Sequence, residues 1–142
     1  MNVYVDSSVL LRVVLGEPGR LRIWSRITAA VSSELITLEC LRTIDRARIQ
    51  LRLEDEDVSE RRAAVLEAIE GFTLVPIRPP VLERAAEPFP TTLGTLDAIH
   101  LASALLVRGG FEELSLATHD RELALAARAE GFRVHGSPAR VG

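Results

Sequence analysis

Short β-prone runs alternate with segments of helical periodicity along the whole of this 142-residue chain. The apolar pattern predicts strands at residues 3–5, 30–33, 72–77, 114–118 and 132–135. Strands that alternate with helices are typical of parallel strands, which are joined by right-handed crossovers and covered by helices on both faces. The sequence therefore predicts an α/β fold, with three α/β/α layers around a central, mainly parallel sheet.

Helical segments fill the intervals between the predicted strands. One helix follows the turn at 6–8, and a short one begins at Pro79-Pro80. The others are predicted at 19–29, 34–53, 59–70, 95–108 and 120–130. The acidic run 54–57 is predicted to end the helix at 34–53 and to separate it from the helix at 59–70. The length is typical of one domain, so we expect residues 1–142 to form a single domain.

Composition excludes several classes of protein. Hydrophobic residues make up 47% of the chain, which excludes intrinsic disorder. All 17 basic residues are arginines and face 20 acidic residues, so the net charge of −3 gives no general attraction to nucleic acid. The absence of lysine excludes Schiff-base chemistry and a P-loop.

The sequence also favours a cytoplasmic location. Cys40 is the only cysteine and cannot form an internal disulfide, and the first residues lack the basic and apolar stretches of a secretory signal. The longest mostly apolar run, 98–107, falls well short of the roughly 20 residues that cross a bilayer, so we expect no membrane association.

Four acidic residues fall near predicted strand exits or helix starts. Asp6 and Asp120 directly follow strands, Asp97 lies on the first turn of the most apolar helix, and Glu39 lies early in the helix that begins near residue 34. Ligands of parallel sheets bind at the carboxyl ends of the strands. Clustered carboxylates without a lysine either take up protons or bind a divalent cation, and oxygen ligands suit Mg²⁺ or Mn²⁺. The sequence therefore predicts a metal site.

Each acid taken singly also fits an ordinary structural role. Asp6 and Asp120 fit helix N-caps, Asp97 fits a first-turn acid, and Glu39 fits a solvated helix face. The shared placement of the four favours the metal site, because Ser, Thr or Asn would serve equally well as caps.

Four short runs carry a family resemblance. Val-Tyr-Val-Asp-Ser-Ser at 3–8, Leu-Glu-Cys-Leu-Arg at 38–42, Leu-Asp-Ala-Ile-His-Leu-Ala at 96–102 and Ala-Thr-His-Asp at 117–120 resemble the acidic motifs of PIN-domain ribonucleases. The nearest subfamily is the VapC-type toxin of toxin–antitoxin systems. The sequence departs from the family pattern at His119, where Asn or a basic residue is frequent, and at Leu123, where an aromatic residue is frequent.

The resemblance implies a PIN-like fold and a function. It implies an endoribonuclease whose products carry 5′-phosphate and 3′-hydroxyl ends, a VapB-like antitoxin partner and a homodimer. It identifies the metal-coordinating catalytic acids and two supporting polar residues; these are Asp6, Glu39, Asp97 and Asp120, with Ser7 and Thr118 in support.

The expected chemistry is in-line attack of water on a phosphodiester, with one or two Mg²⁺ or Mn²⁺ ions activating the water and relieving the leaving oxygen of charge. Arg42 and Arg46 lie on the same helical face as Glu39 and are candidates to guide the RNA backbone, although a solvated face with charge pairs explains them equally well. His100 is interpreted as a packing or hydrogen-bonding residue. His119 is either a surface residue or a substrate contact.

Other classes of acidic α/β protein fit less well. A receiver domain needs a strand-end lysine, and a haloacid-dehalogenase-type phosphatase needs an Asp where Ser8 stands. The remaining alternative is a non-catalytic PIN-like module that recruits a protein partner or RNA, and the presence of all four acids argues against it.

Overall fold

Five strands form one parallel sheet in the computed structural model, which describes residues 1–139. The strands are β1 (Asn2–Val5), β2 (Ala29–Ser33), β3 (Phe72–Val75), β4 (Ser115–Ala117) and β5 (Val134–His135), and their spatial order is β3-β2-β1-β4-β5. Every neighbouring pair is parallel, as the alternation of strands and helices predicts. The chain builds outward from β1 in one direction to β3 and then in the other to β5, so the strand order reverses between β1 and β4.

Three helices cover each face of the sheet. They are α1 (Ser7–Val14), α2 (Leu35–Gln50), α3 (Asp55–Glu70), α4 (Pro79–Ala86), α5 (Thr95–Val107) and α6 (Arg121–Ala129). Side chains alternate along β1, so that Val3 and Val5 pack against the layer of α1 to α3 while Tyr4 packs against the layer of α4 to α6. The predicted three-layer α/β/α fold is confirmed.

The helix predicted at 19–29 is wrong. The segment contains only a 3₁₀ turn at Trp24–Arg26, and β2 already begins at Ala29. Gly19 has a φ of +81°, which interrupts any helix there. Leu21, Trp24 and Ile27 recur at intervals of three, a spacing that fits an α-helix and a 3₁₀ turn alike, so the apolar pattern does not distinguish the two.

The acidic run 54–57 does not separate two helices as predicted, because it lies at the start of the second one. α3 begins at Asp55, and the acids of this run occupy its first turn, where the helix dipole favours negative charge. The break falls just before the run, at Arg52, whose φ is +51°.

Within residues 1–139, none of the helices has the length and apolar character needed to span a membrane.

Candidate active site

The four predicted acids line one cleft of about 410 Å³. β1 and β4 are neighbours, and the residues that follow them, Asp6 and Asp120, cap α1 and α6 at the carboxyl edge of the sheet. Asp97 enters from the first turn of α5, and Glu39 from the second turn of α2. The cleft therefore lies where the strand order reverses, which is the usual ligand position in a parallel sheet.

Three hydrogen bonds hold the side chain of Asp6. The residue is 4% exposed, and its carboxylate accepts hydrogen bonds from the Ser7 N–H at 2.8 Å, the Ser8 hydroxyl at 2.7 Å and the Thr118 hydroxyl at 2.8 Å. The Ser7 hydroxyl also lies 3.5 Å from a Glu39 oxygen. Ser7 and Thr118 thus contact the carboxylates, and Ser8 is an additional partner that the sequence analysis did not identify.

Glu39 is fixed from behind by a buried histidine. Nε2 of His100 donates a hydrogen bond to Glu39 Oε1, and Nδ1 of His100 lies 2.8 Å from the Tyr4 hydroxyl. His100 is fully buried, in agreement with its interpretation as a hydrogen-bonding residue. Tyr4 is not among the predicted site residues, and its only signal in the sequence is a hydroxyl-bearing ring between two buried valines.

The charges of the cleft raise the pKa of the histidine. Burial by itself lowers the pKa of His100, but the hydrogen bond to Glu39 and the negative charge of Asp6 outweigh it, so the pKa lies above its usual value. Burial raises the pKa of Tyr4, which keeps its hydroxyl protonated. Nε2 of His100 is therefore better suited to donate a hydrogen bond to Glu39 than to bind a metal ion, which needs an unprotonated nitrogen.

Asp97 shows the excess of negative charge most directly. Burial raises the pKa of Asp97 to about 6, and the charges of Asp120 and Asp6 act in the same direction. Within residues 1–139 no arginine lines the cleft, so the imidazole of His100 behind Glu39 balances only part of the charge of the four carboxylates. A divalent cation would supply that balance, and carboxylate oxygens are the ligands that Mg²⁺ and Mn²⁺ prefer.

A compact donor group lies at the inner end of the cleft. One side-chain atom each from Asp6, Glu39 and His100 lie within 4.8 Å of one another. Because His100 already contacts Glu39 and Tyr4, the carboxylates are the better ligands. Asp97 and Asp120 line the same cleft but stand outside this compact group. The donor set fits a hard divalent cation.

The two arginines predicted to guide RNA do not line the cleft. Arg42 is exposed and pairs with Asp45 at 3.3 Å, and Arg46 donates to the Thr43 hydroxyl at 3.4 Å. His119 also turns away from the cleft, since its Nδ1 donates to the Gly136 carbonyl at 2.8 Å.

The chain belongs to the PIN-domain family, whose sequence pattern it matches over residues 3–129. It is 30% identical over 141 residues to ribonuclease VapC47 of Mycobacterium tuberculosis (strain CDC 1551 / Oshkosh), covering 98% of each chain. It is 33% identical over 135 residues to ribonuclease VapC46 of Mycobacterium tuberculosis (strain ATCC 25618 / H37Rv), covering 93% of this chain and 95% of the relative. The resemblance to VapC-type PIN-domain ribonucleases is confirmed.

Two solved structures share the fold. A toxin–antitoxin complex from Klebsiella pneumoniae superposes with a TM-score of 0.61 at 18% identity, over 87% of this chain and 91% of the other. PAE2754 from Pyrobaculum aerophilum superposes with a TM-score of 0.64 at 21% identity, over 94% of this chain and 83% of the other.

Proposed function

We propose that this chain is a metal-dependent endoribonuclease that hydrolyses RNA phosphodiester bonds, and that it is the toxin of a type II toxin–antitoxin pair, with residues 1–142 forming one nuclease domain. The observation that carries the proposal is the convergence of four carboxylates in one cleft at the reversal of strand order. Its membership of the PIN-domain family and the names of its relatives, ribonucleases VapC47 and VapC46, support the same activity.

Four carboxylates would hold Mg²⁺ or Mn²⁺ in this proposal; they are Asp6, Glu39, Asp97 and Asp120. A bound divalent cation supplies a more acidic water and charge stabilisation for the leaving oxygen. The chain itself fixes the carboxylates: three donors orient Asp6, and His100 orients Glu39. This orientation leaves the ligand oxygens little freedom to lose when a cation binds.

The alternative of a non-catalytic binding module has less support. A surface that only recruits a partner does not require a buried Asp6 with three donors, nor a carboxylate backed by a fully buried histidine. Such buried polar groups cost stability unless they are fully hydrogen-bonded, so their presence favours a chemical use.

The nature of the products tests the proposed function. We expect purified protein to cleave single-stranded RNA in the presence of Mg²⁺ and to leave 5′-phosphate and 3′-hydroxyl ends, because the attacking group is a water and not the ribose 2′-hydroxyl. End-specific labelling of the fragments measures this. Products with 2′,3′-cyclic phosphate ends, or binding of RNA without cleavage, contradict the proposal.

We further propose an antitoxin partner of VapB type, a homodimer and a cytoplasmic location. The toxin–antitoxin complex that shares the fold supports the first. Exposed apolar side chains on or beside α2 offer surface for a partner; Leu38 is 57% exposed, Ile49 74% and Leu51 65%.

We expect light scattering of the purified chain to give twice its mass of 15.6 kDa. We also expect co-expression with the protein encoded by the neighbouring reading frame to suppress RNA cleavage. A monomer at micromolar concentration contradicts the dimer, and cleavage that persists in a stable complex contradicts the antitoxin.

We propose that Arg42 and Arg46 contact the RNA backbone along α2. Replacing both by alanine should weaken RNA binding about three- to tenfold at low salt and reduce the salt dependence of the association constant, because each phosphate contact releases counterions. Both side chains are solvent-facing, so we expect the folding midpoint to change little. Unchanged binding across a salt series identifies this surface as a solvated helix face.

A further inference from the structure

A second groove, of about 550 Å³, lies outside the acidic cleft along the edge strand β5. Its lining includes Arg12 near the end of α1, Arg20 and Arg22 in the loop that follows, and Arg128 on α6. The lining contains neither Asp nor Glu. We call this feature the arginine groove.

The four guanidinium groups have no acidic partners in the described part of the chain. The ion pairs that arginines form within residues 1–139 involve Arg42, Arg48 and Arg84, and none of the four groove arginines. In a chain of net charge −3, a groove lined by four arginines without an acidic lining residue has a positive surface, against the general trend. An anionic ligand would relieve their mutual repulsion.

One of these arginines is held by a backbone hydrogen bond, and another lies close against the backbone of the loop. Arg128 donates a hydrogen bond to the Ser137 carbonyl. A Cβ at Gly19, whose φ is +81°, would lie 3.3 Å from an Arg12 terminal nitrogen, so glycine leaves room for that guanidinium. Arg20 and Arg22 are exposed and reach the groove from the loop. The groove therefore combines one hydrogen-bonded arginine, one packed against Gly19 and two exposed arginines.

The arginine groove and the acidic cleft adjoin each other at residues 119 and 120. His119 lines the groove, and its backbone N–H donates a hydrogen bond to the Ser8 hydroxyl at 3.0 Å. The Ser8 hydroxyl in turn donates a hydrogen bond to Asp6. The next residue, Asp120, lines the cleft. A polyanion lying in the groove would thus pass directly beside the carboxylates.

We propose that the arginine groove binds the phosphate backbone of single-stranded RNA next to the bond that is cleaved, which rests on the proposed function. Guanidinium groups bind phosphate oxygens through paired N–H donors, and the successive phosphates of an extended strand can contact different arginines of one groove. The adjacency to the acidic cleft favours RNA over an acidic peptide, because a substrate strand must reach that cleft. The groove would attract the RNA phosphates locally, although the negative net charge of the whole chain repels them.

A double variant and a matched control test the proposal. Arg20→Ala/Arg22→Ala removes two exposed arginines of the groove. Arg26→Ala/Arg133→Ala removes two exposed arginines at the amino edge of the sheet, where they line a different depression. Binding of a short labelled single-stranded RNA is measured by fluorescence anisotropy over a salt series, with chelator present so that no RNA is cleaved.

We expect the groove variant to bind RNA about tenfold more weakly at low salt, and the slope of log K against log salt to fall by about 1.4, since each lost phosphate contact on a single strand contributes about 0.7. The control variant should bind as its parent does. Because the four substituted side chains are exposed, thermal midpoints near that of the parent confirm that both variants fold. Should the alanine variant lose its fold, Arg20→Gln/Arg22→Gln removes the same charges and retains polarity.

Three results overturn the proposal: equal losses in groove and control variants, an unchanged slope in the groove variant, or no salt-dependent RNA binding by the parent. A groove variant that keeps its RNA affinity but no longer binds a protein partner assigns the groove to that partner instead. Absence of cleavage by the parent in Mg²⁺ contradicts the proposed function separately, because this binding assay does not depend on cleavage.

Discussion

Replacing Asp97 by asparagine should reduce RNA cleavage about 1000-fold while making the metal-free protein more stable at neutral pH. The amide keeps the shape of the side chain but removes a ligand charge from the cleft. The stability gain follows from the pKa of Asp97, which burial and the charges of Asp120 and Asp6 raise to about 6. Activity and stability should therefore move in opposite directions.

The sign of the stability change depends on pH. An acid whose pKa is higher in the folded protein than in the unfolded chain destabilises the fold as it ionises. Ionisation of Asp97 therefore lowers the free energy of unfolding as pH rises from about 4 to about 6, and the full loss is present above that range. After allowance for partial exposure, Asp97→Asn should gain about 1 kcal/mol at pH 7.5 and almost nothing at pH 4.

Asp57→Asn is a matched control. Asp57 is the third residue of α3, as Asp97 is the third residue of α5, but it is exposed and far from the cleft in the fold. This variant should retain cleavage and lose a few tenths of a kcal/mol through its helix dipole. Denaturation curves and cleavage rates of both variants decide the matter: an Asp97→Asn protein that cleaves RNA at the parental rate refutes the site assignment.

Removal of divalent cations should abolish cleavage completely, and addition of Mg²⁺ or Mn²⁺ should restore it. The same cations should stabilise the fold, since a ligand that binds only the folded state at 100 times its dissociation constant adds about 2.7 kcal/mol. For a chain of this length, that gain corresponds to a rise of several degrees in the thermal midpoint. The physical reason is that the cation neutralises carboxylates that repel one another in the cleft.

Comparison of variants separates specific binding from a general salt effect. Monovalent salt at the same ionic strength should not restore cleavage, and the thermal shift produced by Mg²⁺ should shrink in Asp97→Asn and persist in Asp57→Asn. Full cleavage in the presence of EDTA contradicts metal dependence. An equal thermal shift in both variants places the cation outside the cleft.

Local patterns were sufficient to predict the layers of the fold and the place of the acids. Buried parallel strands and amphipathic helices have different spacings of apolar residues, so their alternation can be recognised in the sequence. A residue that directly follows a parallel strand must lie at the carboxyl edge of the sheet. Asp6 and Asp120 are placed by this reasoning, whereas Asp97 lies on the first turn of α5 and follows no strand directly. It failed at 19–29, where an apolar spacing of three suits both a helix and a 3₁₀ turn, and Gly19 decides for the latter.

Contacts between distant parts of the chain were decided by the tertiary structure alone. Tyr4, Glu39 and His100 form one hydrogen-bonded set although 61 residues separate Glu39 from His100 and 96 separate Tyr4 from His100. The sequence by itself determined that the strands are parallel and that acidic residues lie at the carboxyl edge of the sheet. The packing of the layers decides which buried groups orient those acids. It also brings together arginines of α1, the following loop and α6 at the edge of β5. Neither result is readable in the sequence, because side chains that lie far apart along the chain leave no local pattern that records their contact.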